Sequence, residues 1–93
     1  MILSTKGKLI GHVLAGRPGK GFPQDIFERA TDLLTAIDAA TQIDDLRFPP
    51  GNMLEALKGD RAGHYSVRIN KQWRFCFVWI EAGPKEVELI DYH

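Results

Sequence analysis

The chain has 93 residues and a mass of 10.5 kDa, which is the size of one domain, residues 1–93, with a single hydrophobic core. Hydrophobic residues make up 44% of the chain and charged residues 26%, and this balance excludes wholesale disorder. Twelve Lys and Arg residues match twelve Asp and Glu residues. The net charge of zero argues against histone-like nucleic-acid binders, which depend on surplus cations.

The composition also bears on location and cofactors. No apolar run approaches the roughly 20 residues of a membrane span, and the N-terminus does not resemble a signal peptide. The single Cys76 can form neither an internal disulfide nor a cysteine-based metal cluster, so we expect a reducing cytoplasm. His12, His64 and His93 lack metal-ligand spacing, so we expect no metal or other cofactor.

The charges are sorted along the chain. Residues 1–24 carry four cations and no acid, and residues 25–45 carry six acids and one cation. Residues 46–79 carry six cations and two acids, whereas residues 80–93 carry four acids and one cation. Acidic helix faces are common, but the same pattern also allows a local cationic surface that the neutral total hides.

The first half of the chain predicts one short strand and two helices. Met1 to Ser4 is expected to be an edge strand, and Lys8–Ala15 a helix that stops at Gly16. A second helix is expected over about 23–41, because one apolar stripe has a period near 3.6 residues. The stripe consists of Ile26, Ala30, Leu33, Ile37 and Ala40.

The second half predicts four strands after a proline-rich loop at Arg47–Asn52. Apolar and polar residues alternate over residues 65–70 and 73–80, as expected of half-buried strands. A short strand at Met53–Leu57 and a last strand at Val87–Tyr92 complete the set, with Gly83-Pro84 predicted as the turn before the last one. The expected fold is therefore α+β: an N-terminal strand and two helices on a mainly antiparallel sheet of four to five strands.

The register of the central hairpin decides which side chains share a face. A three-residue loop, 70–72, pairs Arg68 with Arg74 and Val67 with Phe75. This register puts the aromatic and β-branched residues against the helices and both arginines on the other face. A two-residue loop would mix arginines into the aromatic face, so we favour the longer loop.

Arg68 and Arg74, placed side by side, require an anion, because like charges opposite each other on a sheet repel. A phosphate suits the arginine fork, and Lys58 and Arg61 are expected to add to the same surface. The alternative is that one of the nearby acids neutralises the pair, and the spacing does not decide between the two. Those acids are Glu55, Asp60 and Glu88.

Asp91, Tyr92 and His93 end the chain, and a histidine there can give or take a proton near neutral pH. Most terminal residues are frayed and inert, although a strand that ends next to His93 would hold the tail in place.

The second half carries the segments LEALKGDRAGHYSVRIN at 54–70, QWR at 72–74 and the final DYH, preceded by AIDAAT at 36–41 and PPGN at 49–52. These segments resemble the HigB family of bacterial toxins, within the RelE/ParE superfamily. The resemblance covers about the last 45 residues strongly and the first 25 only loosely. It implies a RelE-like two-layer fold and cleavage of messenger RNA in the ribosomal A site.

The resemblance also implies a set of catalytic residues without a metal. Lys58 and Arg74 would stabilise the phosphate, and His93, in a cluster with Asp91 and Tyr92, would donate the proton. Many family members carry a histidine where this chain has Glu55, and some relatives in the superfamily use a glutamate at that place as the base. The implied partners are the ribosome, mRNA and an antitoxin like HigA, which has a helix-turn-helix domain. We expect the toxin to be monomeric outside the antitoxin complex.

Two alternatives to a ribosome-dependent endoribonuclease remain open. One is a ParE-like inhibitor of DNA gyrase that has the same fold and no nuclease activity. The other is a degenerate member of the family that binds its antitoxin and has little toxicity. The presence of Glu55 in place of the histidine of many members, and the net charge of zero, support this alternative.

Overall fold

Among residues 1–57 and 63–91, which the computed structural model describes, two helices pack on one face of a four-stranded antiparallel sheet. The helices are α1 (Leu9–Ala15) and α2 (Phe27–Ala39), and three short 3-10 turns lie at Gln24–Ile26, Ile43–Arg47 and Pro50–Asn52. The strands are β1 (Glu55–Ala56), β2 (His64–Arg68), β3 (Trp73–Ile80) and β4 (Gly83–Asp91), and they lie in the order β1-β2-β3-β4. This architecture confirms the predicted α+β fold.

The helices follow the predicted pattern closely. Helix α1 ends at Gly16, which adopts a left-handed φ of 80°, and α2 continues the 3-10 turn at Gln24–Ile26. All five residues of the apolar stripe predicted for the second helix are buried. Neither helix is long and apolar enough to cross a membrane.

The core lies between the helices and one face of the sheet. Its sheet side is made by alternate residues of β2, β3 and β4, as expected for strands with one buried face. These residues are Val67, Phe75, Phe77, Val87 and Leu89, and they pack against Ile10, Val13, Ala30, Leu33 and Ile37 from the helices.

The predicted register of the central hairpin is confirmed. Arg68 pairs with Arg74 and Val67 with Phe75 across β2 and β3. The three-residue loop is held by Asn70, whose side-chain Oδ1 accepts hydrogen bonds from the backbone N–H groups of Gln72 and Trp73, both at 2.8 Å. The arginine pair therefore lies on the sheet face opposite the aromatic layer.

The N-terminal segment differs from the prediction of an edge strand at Met1 to Ser4. It runs beside β4 with hydrogen bonds such as Leu3 N–H to the Pro84 carbonyl, but it forms an isolated parallel bridge, Thr5 with Val87, instead of a strand. The physical reason lies in β4, where Glu86 has a φ of +53° and the pairing with β3 shifts in register. Such a bulge interrupts the regular ladder on its outer edge.

The predicted turn at Gly83-Pro84 is also wrong. The turn lies at residues 81–82, and β4 begins at Gly83, which pairs with Ile80, while Pro84 pairs with Trp79. Proline is accepted in this strand because β4 lies at the edge of the sheet, where an N–H group can be missing.

Candidate functional site

Arg74 is the centre of the polar group on the sheet face opposite the helices. It is 8% exposed. Its Nη1 donates a hydrogen bond of 2.6 Å to Oγ of Ser66 on β2, and it lies 3.2 Å from Oε1 of Glu55 on β1. The guanidinium of Arg74 thus reaches from β3 across β2 to β1, and the sequence-predicted residues Glu55 and Arg74 are brought into contact.

Arg68 lies beside Arg74 but has a different partner. Its Nη1 is 3.1 Å from Sδ of Met53, and among the described residues no carboxylate lies within ion-pair distance of it. Of the acids considered as neutralising groups, Glu55 contacts Arg74, whereas Glu88 lies 3.9 Å from Lys6. Arg68, Arg74 and Glu55 together carry one net positive charge, which suits an anion.

Two features hold Glu55 in place. Strand β1 is only two residues long, with Glu55 opposite Ser66 and Ala56 opposite Tyr65. Ahead of it, Asn52 is 1% exposed, and its Nδ2 donates to the carbonyl oxygens of Leu46 (3.2 Å) and Phe48 (3.1 Å). Its Oδ1 accepts a hydrogen bond of 3.1 Å from Arg29 of α2. The segment that leads into the Glu55 strand is therefore tied to the helical layer.

The structure places Asp91 apart from the arginine pair. Asp91 is opposite Trp73, whereas its neighbour Ile90 is opposite Arg74, so by strand alternation Asp91 points to the other face of the sheet. Its Oδ2 accepts a hydrogen bond of 3.1 Å from Nε2 of Gln72. The other proposed site residues, Lys58, Arg61, Tyr92 and His93, lie outside the described residues, as does Asp60.

Sequence reasoning missed the supporting residues Ser66, Asn52 and Arg29. The position of Ser66 could have been predicted, because it lies two residues before Arg68 and the two side chains therefore share one face of the strand. Asn52 and Arg29 gave no such signal, since no periodicity links a loop asparagine to an arginine 23 residues earlier on a helix.

The other candidate groups have structural contacts. His12 accepts a hydrogen bond of 2.8 Å at Nδ1 from the Gly19 N–H and packs against the Phe22 ring, as expected of a histidine at the edge of the core. Cys76 is buried. Within residues 1–57 and 63–91 no group of three or more His, Cys, Asp or Glu residues could hold a metal ion.

A groove of about 510 Å³ lies on the helical side of the molecule, between the N-terminal segment, α1 and α2. None of Glu55, Arg68, Arg74 and Asp91 lines it. The arginine pair lies on the opposite face of the sheet, outside this groove.

Comparison with solved structures identifies the class of fold as that of bacterial YoeB and ParE toxins. A chain of the YoeB–YefM complex from Staphylococcus aureus superposes with a TM-score of 0.63 at 19% identity, covering 100% of this chain and 95% of that one. The YoeB/ParE toxin from Agrobacterium tumefaciens superposes with a TM-score of 0.59 at 23% identity, covering 100% and 99%. At these identities the likeness concerns the fold alone.

Sequence comparison narrows the class to one family. Residues 16–93 match the model of the HigB-like toxin, described as a RelE-like toxin of the type II toxin–antitoxin system HigB. The chain is 34% identical to the endoribonuclease HigB of Proteus vulgaris over 100% of both chains. It is 48% identical to toxin HigB-1 of Vibrio cholerae over 52% of this chain, a match that spans 50% of that protein's length. The chain therefore belongs to the HigB-like toxin family.

Proposed function

We propose that this protein is a ribosome-dependent endoribonuclease that cleaves mRNA in the A site and so inhibits translation. The observation that carries the proposal is the buried guanidinium of Arg74, which is in contact with Glu55 and beside Arg68. This arrangement puts a phosphate-binding group and a carboxylate that can accept a proton within one hydrogen-bond length of each other. The Proteus vulgaris relative is an endoribonuclease, which supports cleavage of RNA by this chain.

The proposed reaction is attack of a ribose 2′-oxygen on the adjacent phosphorus. Glu55 removes the proton of the 2′-OH, the O2′–P bond forms, and the P–O5′ bond breaks. Arg74 and Lys58 stabilise the charge that develops on the phosphoryl oxygens, and Arg61 and Arg68 bind neighbouring phosphates. His93 protonates the departing 5′-oxygen, and Tyr92, next to it in the sequence, belongs to the same proposed set, whereas Asp91 points to the other face of the sheet. The products are a 2′,3′-cyclic phosphate and a 5′-hydroxyl end, and the reaction needs no metal ion.

The test compares variants of the two proton-transfer residues in cells. Glu55→Gln keeps the shape of the side chain and removes its basicity, and His93→Ala removes the proton donor, so each should abolish growth inhibition and mRNA cleavage. Glu81→Gln is the matched control, because Glu81 is exposed in the turn at the far end of β3 and should leave toxicity intact. Full toxicity of both Glu55→Gln and His93→Ala would refute the assignment.

Mapping of mRNA 5′ ends after induction tests the reaction itself. Cuts in phase with codons, with 5′-hydroxyl ends, are expected. DNA damage without cuts would indicate a gyrase inhibitor, and the absence of both would indicate a member without nuclease activity.

Dependence on the ribosome follows from the charge of the chain. With twelve cations against twelve acids, the protein has little surplus charge to hold free RNA, so the ribosome has to position the substrate. Purified protein should cleave mRNA on programmed ribosomes and leave the same RNA nearly intact in their absence. Equal cleavage of naked RNA would contradict this part of the proposal.

A HigA-like antitoxin with a helix-turn-helix domain is the proposed partner, encoded next to the toxin, and the cytoplasm is the proposed location because the substrate is on the ribosome. Membership in a type II toxin–antitoxin family supports the partner. Expression of the adjacent gene product should relieve toxicity and yield a stable complex with this chain. We expect the purified toxin alone to be a monomer, to be checked by light scattering.

A further inference from the structure

We propose that Ser66 is a positioning residue that holds the Arg74 guanidinium in place during cleavage. This inference rests on the proposed function, because it assigns Ser66 a role through the phosphate-binding arginine. Ser66 is part of the motif that resembles the toxin family, and the reaction proposed above leaves it without a role.

Among the described residues, Nη1 of Arg74 lies closer to Ser66 than to Glu55. The distance to Ser66 Oγ is 2.6 Å, compared with 3.2 Å to Glu55 Oε1. Ser66 is 0% exposed, whereas the Glu55 side chain is 52% exposed. The guanidinium is planar and rigid, so a buried anchor on one nitrogen restricts the position of the whole group.

The chemistry of the reaction gives Ser66 a role that Glu55 cannot fill. When Glu55 accepts the proton of the 2′-OH, its carboxylate becomes neutral and its attraction for Arg74 weakens. This happens while negative charge builds up on the phosphoryl oxygens and Arg74 is most needed. The Ser66 hydroxyl exchanges no proton in this step, so its hydrogen bond persists from the bound substrate to the transition state.

Kinetics of Ser66→Ala on ribosome-bound mRNA test the inference. We expect kcat to fall by about 10- to 100-fold, since a misplacement of about 1 Å can cost on the order of 100-fold. The KM for programmed ribosomes should change by less than about twofold, because the loss is confined to the transition state. Ser66→Thr keeps the hydroxyl and should restore most of the rate.

Ser4→Ala is the matched control. It removes another serine hydrogen bond, from the Glu86 N–H at 2.9 Å, on the far side of the sheet from β1. Urea unfolding of both serine variants separates stability from rate. An equal fall in kcat for Ser4→Ala would show that the effect is a general loss of structure and would overturn the inference.

The extra methyl group of Ser66→Thr could fail to fit the buried site, so a second test is needed. A double-mutant cycle that combines Ser66→Ala with Arg74→Lys provides it. Lysine lacks the planar fork, so Ser66→Ala should cost less than about threefold in that background. Full activity of Ser66→Ala, or an equal loss in both backgrounds, would overturn the role of Ser66 while leaving the proposed nuclease intact. Full activity of Arg74→Lys would instead refute the role of Arg74 in the proposed function, and the inference with it.

Discussion

Replacement of Asn52 by alanine tests how the helical layer supports the Glu55 strand. The buried Asn52 side chain makes three hydrogen bonds, to Arg29 at 3.1 Å and to the carbonyl oxygens of Leu46 and Phe48 at 3.2 and 3.1 Å. Alanine removes all three, and each contributes about 0.5–1.5 kcal/mol net. We therefore expect the free energy of unfolding to fall by about 2–4 kcal/mol, a large share of the roughly 5–15 kcal/mol of a typical domain.

The assay is urea unfolding at neutral pH, followed by tryptophan fluorescence. Arg29→Met keeps the aliphatic stem and removes the hydrogen bond to Asn52 together with a longer one, 3.4 Å, to the Arg68 carbonyl oxygen, so it should cost about 1–2 kcal/mol. The double variant should be less destabilised than the sum of the single variants, because either change breaks the Arg29–Asn52 contact. Gln24→Ala, at an exposed amide, is the control and should stay within about 0.5 kcal/mol of the unmodified protein.

A loss of less than about 1 kcal/mol for Asn52→Ala would refute this reasoning, because it would mean that water replaces all three contacts at no cost. The functional consequence can be measured separately. Asn52 lies three residues before Glu55, so cleavage per folded molecule should also fall when this support is removed. Cleavage that falls only in proportion to the folded fraction would show that Asn52 stabilises the fold without positioning Glu55.

Three further predictions concern helix α1, the loop between the helices and the turn after α2. Gly19→Ala would place a Cβ 2.6–2.7 Å from two atoms of the His12 ring, so urea unfolding should show a loss of about 1–3 kcal/mol. Gly11→Ala in α1, where a Cβ meets nothing within 4 Å, should instead stabilise by up to about 1 kcal/mol. The pKa of Asp45 is lowered from its ordinary value of 3.8, chiefly by a hydrogen bond from the Thr41 backbone N–H. Its stabilisation is therefore fully present above pH 3.8 and is lost as the pH falls through the lowered pKa. Asp45→Asn should thus be less stable than the unmodified protein at neutral pH and equal to it in strong acid.

The sheet register was predictable because two independent patterns agreed. Alternation in residues 65–70 and 73–80 defined two faces for each strand, and a loop of three residues was needed to keep arginine out of the aromatic face. A shift of one residue in the register would have exposed Phe75 and buried Arg74 in the apolar layer. The free-energy cost of burying that charge is larger than any preference for one loop length over another. The contact of Arg74 with Glu55 follows from that register together with the pairing of β1 with β2.

The N-terminal strand and the turn before β4 were not predictable in the same way. The bulge in β4 depends on a left-handed residue, Glu86, which is not a residue type that signals positive φ. The strand position of Pro84 depends on β4 being at the edge of the sheet, a property of the whole topology. Likewise, Asn52 became a buried support only through the packing of distant segments, which periodicity does not report.

The burial of Arg74 supports the role proposed for it in the reaction. Removing a guanidinium from water costs free energy, and its contact with the half-exposed Glu55 offsets only part of that cost. Arg74 lies across the sheet from a layer made by Phe75 and Phe77, so an apolar residue could pack in its place without loss of the core. What an apolar residue could not do is present a fixed positive charge next to Glu55 and Arg68. In the proposed reaction this charge is desolvated before substrate binds, so the guanidinium would already be oriented when charge develops on the phosphate.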